Sequence, residues 1–284
     1  MKLRSALLLI AILCALQRCA AQDAPALLST VATPAPEPIQ PVPILKPSPE
    51  RNISWRRLVP NIMQDQKQMW LFPVSVAQGH HAKPTLAIVG LTAGLVALDE
   101  HNMKYFRSTQ SFSGFNKVLS GRNTSLAMEV FPAAFYALGL ARRDTYAQHT
   151  VLLAGEAVLN SEILTTVMKD IDRRYRPASI PPNGDFSESW FKETHGSYLG
   201  GVGSFPSGHT IAAFSIATVF AERYPKPRWH VFLAYGLASL VGFSRVSLQS
   251  HFPSDVFAGA ALGYAITHYI VLRPRSTIVA QDTP

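Results

Sequence analysis

Apolar residues form long blocks with helical spacing in this chain from about Arg51 onward. The blocks are longer than ordinary strands, and few β-hairpin signals separate them. Pro84, just before the first block, suits the first turn of a helix. The pattern therefore predicts one all-α domain, a helical bundle of about six main helices. The six blocks lie at 86–98, 126–141, 146–169, 208–221, 231–243 and 256–272.

Whether these helices cross a membrane depends on their uncharged runs, because a span needs about 20 apolar residues. The runs at 86–98 and 231–243 have 13 residues each, and 256–272 has 17. Other blocks carry acidic residues in the middle, for example at Glu129 and Glu162. The pattern favours the buried helices of a globular bundle, and membrane spans stay open as the alternative.

The beginning of the chain differs from the rest. Residues 1–21 have a basic start, an apolar run and a small-residue end, which is the layout of a secretory signal peptide cleaved after Ala21. Eight of the 21 prolines lie in 24–50, and proline favours an extended, semi-rigid chain. We therefore predict a signal peptide at 1–21, a proline-rich linker at 22–50 and a functional domain at 51–284. The expected location is the bacterial periplasm, and a retained signal anchor is the alternative.

Composition excludes several classes of partner and of cysteine-based chemistry. Charged residues make up 15% of the chain and the net charge is +8, which falls to +5 without the three basic residues of the leader. No stripe of Lys and Arg with interleaved aromatic residues occurs, so no nucleic-acid partner is expected. Both cysteines, Cys14 and Cys19, lie in the leader. A mature chain without them has no disulfide, thiolate nucleophile or cysteine-bound zinc.

The first of three unusual polar segments is 169–177, where Lys169 and Arg176 are seven residues apart and Pro177 follows. On a helix this spacing puts both side chains on nearly the same face, and the proline ends the helix. Two cations at a helix end can hold one anion. A solvated, charged helix end is the alternative interpretation.

The other two segments combine helix starts with histidines. Gly208 and His209 open an apolar block, where free backbone N–H groups bind anions and a histidine can exchange a proton. His251 and Asp255 are four apart, so the carboxylate can accept the proton of one ring nitrogen and leave the other free to attack. Capped helix starts with incidental histidines are the alternative.

Together the three segments resemble the signature of one superfamily, which contains type 2 phosphatidic acid phosphatases, class A acid phosphatases and vanadium haloperoxidases. The signature reads K-x6-R-P, then P-S-G-H, then S-R-x5-H-x3-D. The helical pattern extends the resemblance to about residues 60–272. Every specified position occurs in order within 169–255: Lys169, Arg176, Pro177, Pro206, Ser207, Gly208, His209, Ser244, Arg245, His251 and Asp255.

The resemblance implies a chemical role for each of these polar residues. His251 is implied to be the nucleophile that forms a phosphohistidine, and Asp255 to orient it. His209 is implied to be the general acid that protonates the leaving oxygen. The resemblance implies no metal or other cofactor, and vanadate is expected to bind as a phosphate analogue. The groups implied to hold the phosphoryl oxygens are Lys169, Arg176, Arg245, Ser207 and the backbone N–H of Gly208.

The expected function is the hydrolysis of phosphate monoesters by an exported phosphatase that acts on a phosphorylated small molecule or a lipid phosphate. The first alternative is a membrane-embedded phosphatase for phosphatidate or polyprenyl diphosphate, with its active site on the outer side. The second is a vanadate-dependent haloperoxidase, and the third is a non-catalytic anion-binding module.

The segment 178–205 is long for a connection without helices, and such loops often cover binding sites. It carries several large side chains that suit contact with a substrate. We predict that this segment is a lid that contacts the leaving group. The side chains concerned are Trp190, Phe191, His195 and Tyr198.

Overall fold

The computed structural model describes residues 51–194 and 200–273. The predicted signal peptide and proline-rich linker lie outside the described residues, as do His195 and Tyr198 of the predicted lid. Within the described ranges the chain forms helices and turns and no strand, which confirms the all-α class. The described helices are α1 Leu58–Ala77, α2 Ala82–Ser108, α3 Ser113–Val118, α4 Gly121–Ala141, α5 Thr145–Asp172, α6 Gly208–Arg223, α7 Trp229–Ser247 and α8 Pro253–Ile266.

The six predicted blocks correspond to α2 and to α4 through α8. The last block also covers a π-helical turn, Thr267–Val271, that continues α8. Helix α1 was missed because its polar residues point inward rather than outward. Asn61 Nδ2 donates to Glu156 Oε2 on α5 at 3.2 Å, and Asn160 Nδ2 donates to Asp65 Oδ2 at 2.9 Å. A pattern search for a buried apolar face does not find such a helix.

Helix α6 is the centre of the bundle and packs against α5, α7 and α8. Two glycines four residues apart on α8 let that helix approach α6 closely, as small residues do at tight helix contacts. A Cβ added at Gly259 would lie 2.8 Å from the Ser207 carbonyl oxygen, and one at Gly263 would lie 2.5 Å from that of Ile211. This contact brings the starts of the two helices, and the residues they carry, side by side.

Three helical segments are long and apolar enough to cross a membrane by length and composition: Ala82–Ser108, Gly121–Ala141 and Thr145–Ser179. In the most apolar 18-residue stretch of α2, only 6% of the residues are buried. Its large side chains are exposed, among them Leu86 at 67% and Leu91 at 59%. The interpretation that the apolar blocks are too short to span is therefore wrong for α2, because flanking residues extend its 13-residue run to a 27-residue helix.

Candidate active site

The residues of the three motifs come from helix ends that meet at one end of the bundle. Lys169 lies in the last turn of α5, His209 is the second residue of α6, and Arg245 lies in the last turn of α7. His251 occupies the short connection to α8, and Asp255 lies in the first turn of that helix. Residues up to 86 positions apart in the sequence therefore surround one location.

One detail of the first motif differs from the prediction. Helix α5 ends at Asp172, and Arg173 adopts a left-handed conformation with φ of 41°. Arg176 follows in an extended conformation, with φ of −75° and ψ of 146°. The residue before a proline is pushed out of the helical region by contact with the proline ring. Lys169 and Arg176 are thus not two turns apart on one helix, and Arg176 approaches the site from the loop.

The imidazole of His251 is held by a backbone carbonyl. Its Nδ1 lies 2.7 Å from the Ser204 carbonyl oxygen, which can only accept a hydrogen bond. Nδ1 therefore carries the proton, and the lone pair lies on Nε2, the nitrogen free to attack. The carboxylate Oδ2 of Asp255 is 3.6 Å from Nδ1, beyond hydrogen-bond distance. The prediction that Asp255 accepts this proton directly is wrong, because the Ser204 carbonyl oxygen occupies the closer position.

The carboxylate of Asp255 nevertheless binds Ser204, the residue that also binds His251. Its Oδ2 accepts from Ser204 Oγ at 2.6 Å and from the Phe252 backbone N–H at 2.8 Å. Its Oδ1 accepts from Arg174 Nη1 at 2.6 Å. Burial alone raises the pKa of Asp255, but the nearby His251, the charge of Arg174 and the hydrogen bond from Ser204 outweigh it and hold the pKa below its ordinary value. Asp255 is therefore an ionised carboxylate.

His209 faces the beginning of α4. Its Nε2 lies 2.9 Å from Ser125 Oγ and 3.3 Å from the Gly121 carbonyl oxygen. Burial, followed by the positive charge of Arg245, lowers the pKa of His209 to about 4. The ring is therefore neutral at physiological pH. A bound phosphate anion opposes the effect of Arg245 and favours the protonated form.

Two cations of the site, Arg245 and Lys169, are buried. Arg245 is 2% exposed, and its Nη2 donates to the Leu119 carbonyl oxygen at 2.8 Å. Burial and the nearby charge of Arg176 lower the pKa of Arg245 to about 10. Lys169 is 8% exposed, and its Nζ would lie 3.5 Å from a Cβ added at Gly208. Buried cations this close to one another favour a multiply charged anion between them.

Ser207 and Gly208 also lie at this site, but only some of the groups expected to bind phosphate are free of other hydrogen bonds. The Ser207 backbone N–H donates to the Asp255 carbonyl oxygen at 3.0 Å, and its hydroxyl accepts from Thr210 Oγ1 at 2.9 Å. The Ser207 hydroxyl proton and the Gly208 backbone N–H are thus the groups left for an anion. Gly208 has no side chain to separate that N–H from Lys169.

Sequence reasoning missed several residues of the site. The Ser204 carbonyl carried no signal, because any residue type supplies one. Glu162 was considered only as a charge against a membrane span, yet its carboxylate oxygens lie 3.6 and 3.8 Å from where a Cβ on Gly208 would be. Asp99 had a recognisable signal, since an acidic residue inside an apolar helix is costly unless it has a partner. Its partner is Arg174, which is 1% exposed.

The predicted lid is only partly consistent with the structure. Trp190 is half-buried, and its ring lies 5.4 Å from that of Phe205 and 4.3 Å from the guanidinium carbon of Arg174. It supports an interior cation rather than covering a substrate. Phe191 is 73% exposed and free to make outside contacts.

Comparison with known proteins agrees with this geometry. Residues 150–276 match the family model of the PAP2 superfamily, and that segment contains all three motifs. This segment of the chain is therefore similar to the PAP2 superfamily.

Individual relatives are enzymes and a transport-related protein. A lipid A 4′-phosphatase from Porphyromonas gingivalis is 26% identical over 161 residues, which are 55% of this chain and 64% of that protein. A lipid A 1-phosphatase from the same organism is 42% identical over 64 residues, 22% of this chain and 14% of that one. The bacitracin transport permease protein BcrC from Bacillus licheniformis is 35% identical over 134 residues, 45% of this chain and 60% of that one. The chain thus spans less than two thirds of the length of these relatives.

One solved structure is also similar. It is a transmembrane PAP2 type phosphatidylglycerolphosphate phosphatase from Bacillus subtilis, with 22% identity and a TM-score of 0.43. The match covers 66% of this chain and 92% of that one.

Proposed function

We propose that this chain is a membrane-embedded phosphatase that hydrolyses a lipid phosphate through a phosphohistidine at His251. One observation carries the proposal. The Ser204 carbonyl fixes the Nδ1 proton of a buried histidine and leaves Nε2 free, beside a cluster of cations and a second histidine. A nucleophile, an anion site and a proton donor are the parts that metal-independent phosphoryl transfer needs.

In the first step, the Nε2 lone pair of His251 attacks phosphorus and the bond to the lipid oxygen breaks. Lys169, Arg176 and Arg245 hold the phosphoryl oxygens, where negative charge spreads in the transition state. His209 donates its proton to the departing lipid oxygen. The products of this step are the lipid alcohol and phospho-His251.

In the second step, a water molecule attacks phosphorus and gives its proton to His209, which is now neutral. The bond between phosphorus and Nε2 breaks, and inorganic phosphate leaves. Asp255 and Ser204 keep the imidazole in the tautomer and orientation that both steps need. His209 ends the cycle protonated, so the balance of protons is restored.

A lipid substrate fits the surface of the protein better than a soluble one. Helix α2 exposes large apolar side chains along most of its length, and α4 exposes Leu126 and Val130. Soluble monomers rarely expose apolar surface of this extent. Similarity to lipid A phosphatases and to a probable lipid phosphate phosphatase from Arabidopsis thaliana supports the same choice. These observations favour the first alternative from the sequence, a membrane-embedded lipid phosphatase, which shares the expected hydrolysis of a phosphate monoester.

We further infer that the active-site end faces the outside of the cytoplasmic membrane, in keeping with the predicted leader at 1–21. The mature chain without Cys14 and Cys19 has no cysteine, so single cysteines can report sidedness. In intact cells, Ser187→Cys in the loop beside the site should react with an impermeant maleimide. Lys226→Cys, beyond the other end of α6, should stay unlabelled until the cells are opened. The reverse pattern contradicts this orientation.

The proposed activity is tested on the purified full chain in detergent with phosphatidate and with p-nitrophenyl phosphate. Hydrolysis should persist in excess chelator, stop with vanadate acting as a phosphate analogue, and be lost in His251→Ala. Arg107→Met is the matched control, because Arg107 binds backbone carbonyls of the same loop and touches no motif side chain. Full activity of His251→Ala contradicts the mechanism. Halide oxidation by the vanadate-bound protein would favour the haloperoxidase alternative instead.

A further inference from the structure

A buried arginine behind His251 joins two carboxylates from distant parts of the chain. Arg174 Nη1 donates to Asp255 Oδ1 at 2.6 Å, and its Nη2 donates to Asp99 Oδ2 at 2.7 Å. The side chains of Arg174, Asp255 and Asp99 are 1%, 0% and 3% exposed. None of the three is positioned to touch a phosphate. The superfamily signature does not specify Arg174 or Asp99.

The guanidinium is fixed on its faces as well as on its edge. The rings of Trp190 and Phe252 lie 4.3 and 3.8 Å from its central carbon. Its Nε donates to Ser189 Oγ at 3.1 Å, and Nη1 also donates to Ser254 Oγ at 2.8 Å. Arginine suits this place because its planar fork serves two carboxylates and stacks on rings, which an ammonium group cannot do.

Asp99 binds the guanidinium of Arg174 on the side away from Asp255. It lies on α2, a candidate membrane span, and its Oδ1 accepts from the Ser254 backbone N–H at 3.1 Å. Ser254 Oγ also donates to Asp99. Ser254 directly precedes Asp255, so one carboxylate from α2 fixes both Arg174 and the first turn of α8.

We propose that Arg174 and Asp99 are positioning residues of the phosphatase: they hold the Asp255 carboxylate, and through Ser204 they hold the imidazole of His251. The chain of contacts is continuous. Arg174 binds one oxygen of Asp255, the other oxygen binds Ser204 Oγ, and the Ser204 carbonyl accepts from His251 Nδ1. The Ser204 backbone N–H in turn donates to the Arg174 carbonyl oxygen at 2.8 Å. This inference rests on the proposed function of His251.

Loss of the arginine should alter the pH profile as well as the rate. The charged groups that face Asp255 are Arg174, His251, Lys169 and, with like charge, Asp172. Removal of Arg174 takes away the buried cation whose charge lowers the pKa of Asp255, so this pKa rises. The acid limb of the rate profile then moves to higher pH, because protonated Asp255 no longer accepts from Ser204.

The test compares Arg174→Met, Arg174→Lys and Asp99→Asn with wild type, in detergent, with p-nitrophenyl phosphate. For Arg174→Met we expect kcat to fall about 100-fold, the loss expected when a reacting group moves by about 1 Å. KM should stay within about threefold, because Lys169, Arg176 and Arg245 are unchanged. Arg174→Lys should restore little. Asp99→Asn should lower kcat roughly 10-fold, as loss of a supporting contact does at other enzyme sites.

Two further measurements separate positioning from general loss of structure. Arg107→Met is the control, since Arg107 also joins α2 to the loop, donating to the Pro177 carbonyl oxygen at 2.7 Å, without touching Asp255. It should lower the unfolding temperature without moving the acid limb. The double variant Asp99→Asn, Arg174→Met should lose much less than the product of the two single losses, because both residues act on the position of one carboxylate, Asp255.

The inference is overturned if Arg174→Met lowers kcat no more than Arg107→Met, or if its acid limb stays at the wild-type pH. It is also overturned if the losses of Asp99→Asn and Arg174→Met simply multiply. Failure of the proposed function gives a different result, because wild type itself then hydrolyses neither phosphatidate nor p-nitrophenyl phosphate. The positioning role of Arg174 and Asp99 fails in that case as well.

Discussion

Helices α2 and α6 are both apolar, yet they differ in how many of their residues they bury. The 16-residue α6 buries eleven residues, most of them small, including Ala213, Ala217 and Val219. The 27-residue α2 buries only Asp99 and Met103, while Leu86 and Leu91 are exposed. Most apolar residues of α6 contact other helices, whereas most large apolar residues of α2 face outward.

The difference shows that apolar composition alone does not define a protein core. Helix α6 gains its stability from close packing, and its first turn places His209 beside α4. Helix α2 turns a carboxylate inward to Arg174 and presents its apolar side chains outward, as a helix in lipid does. In the proposed enzyme, α6 carries part of the chemistry, and α2 lies in the membrane and holds the catalytic groups in place.

The largest expected effect concerns the catalytic side of α6. In His209→Ala, turnover of phosphatidate should fall by about 10²- to 10⁴-fold, the usual contribution of a general acid. Phosphorylation by p-nitrophenyl phosphate should fall much less, because that leaving group needs no proton. Stopped-flow release of nitrophenol measures this step. Equal losses with both substrates would contradict the role of His209 as the general acid. Helix α6 would then not supply the proton of the reaction.

The lipid-facing role of α2 is tested at Leu91, which is 59% exposed in the middle of the helix. Leu91→Arg should disfavour membrane insertion by about 2.5–3.5 kcal/mol, the cost of a charge near the centre of a span. The readout is the fraction of chain recovered in the membrane after alkaline extraction. Leu91→Phe is the apolar control and should insert like wild type. Normal insertion of Leu91→Arg would mean that this face of α2 meets water.

The close packing of α6 is tested by adding one methyl group at a time. Gly263→Ala should lower the free energy of unfolding by about 1–3 kcal/mol, because the new Cβ meets the Ile211 carbonyl. Gly90→Ala on α2 meets nothing within 4 Å and should be neutral or slightly stabilising. Unfolding by heat in detergent, followed by circular dichroism, gives both values. Similar values would show that the two helices are packed alike.

The smallest effect is a change in proton affinity. His209 has a pKa of about 4 instead of 6.5, so the folded chain binds fewer protons than the unfolded chain between these values. Its contribution to the free energy of unfolding therefore decreases as the pH falls from 6.5 to about 4. Arg245→Gln should raise this pKa, which NMR of labelled histidine measures directly. Arg223→Gln, at the far end of α6, should leave it unchanged.

Sequence reasoning found the helices whose apolar residues recur regularly and missed the one whose inward residues are polar. It placed six blocks correctly within helices and passed over α1, because Asn61 and Asp65 interrupt the apolar pattern. It judged α2 too short to span, because Asp99 seemed to end the apolar run when it is a buried partner of Arg174. Patterns along a chain do not distinguish burial in protein from burial in lipid.

For the site, the spacing of side chains predicted which residues meet but not how they bind one another. His251 and Asp255 were expected to form a direct pair, and the structure places the Ser204 carbonyl on Nδ1 instead. Backbone atoms carry no residue-specific signal. The bend after α5 that sends Arg176 to the site from a loop depends on Pro177, which was read only as the end of a helix.

The most direct measurement is the location of the phosphoryl group during turnover. His209→Ala is mixed with p-nitrophenyl phosphate, quenched in base, which preserves a phosphohistidine, and examined by peptide mass spectrometry. We expect phosphate on His251, accumulating because no base remains to activate water, and none in the double variant His209→Ala, His251→Ala. Phosphate on another residue, or continued hydrolysis without a phosphorylated protein, would contradict it.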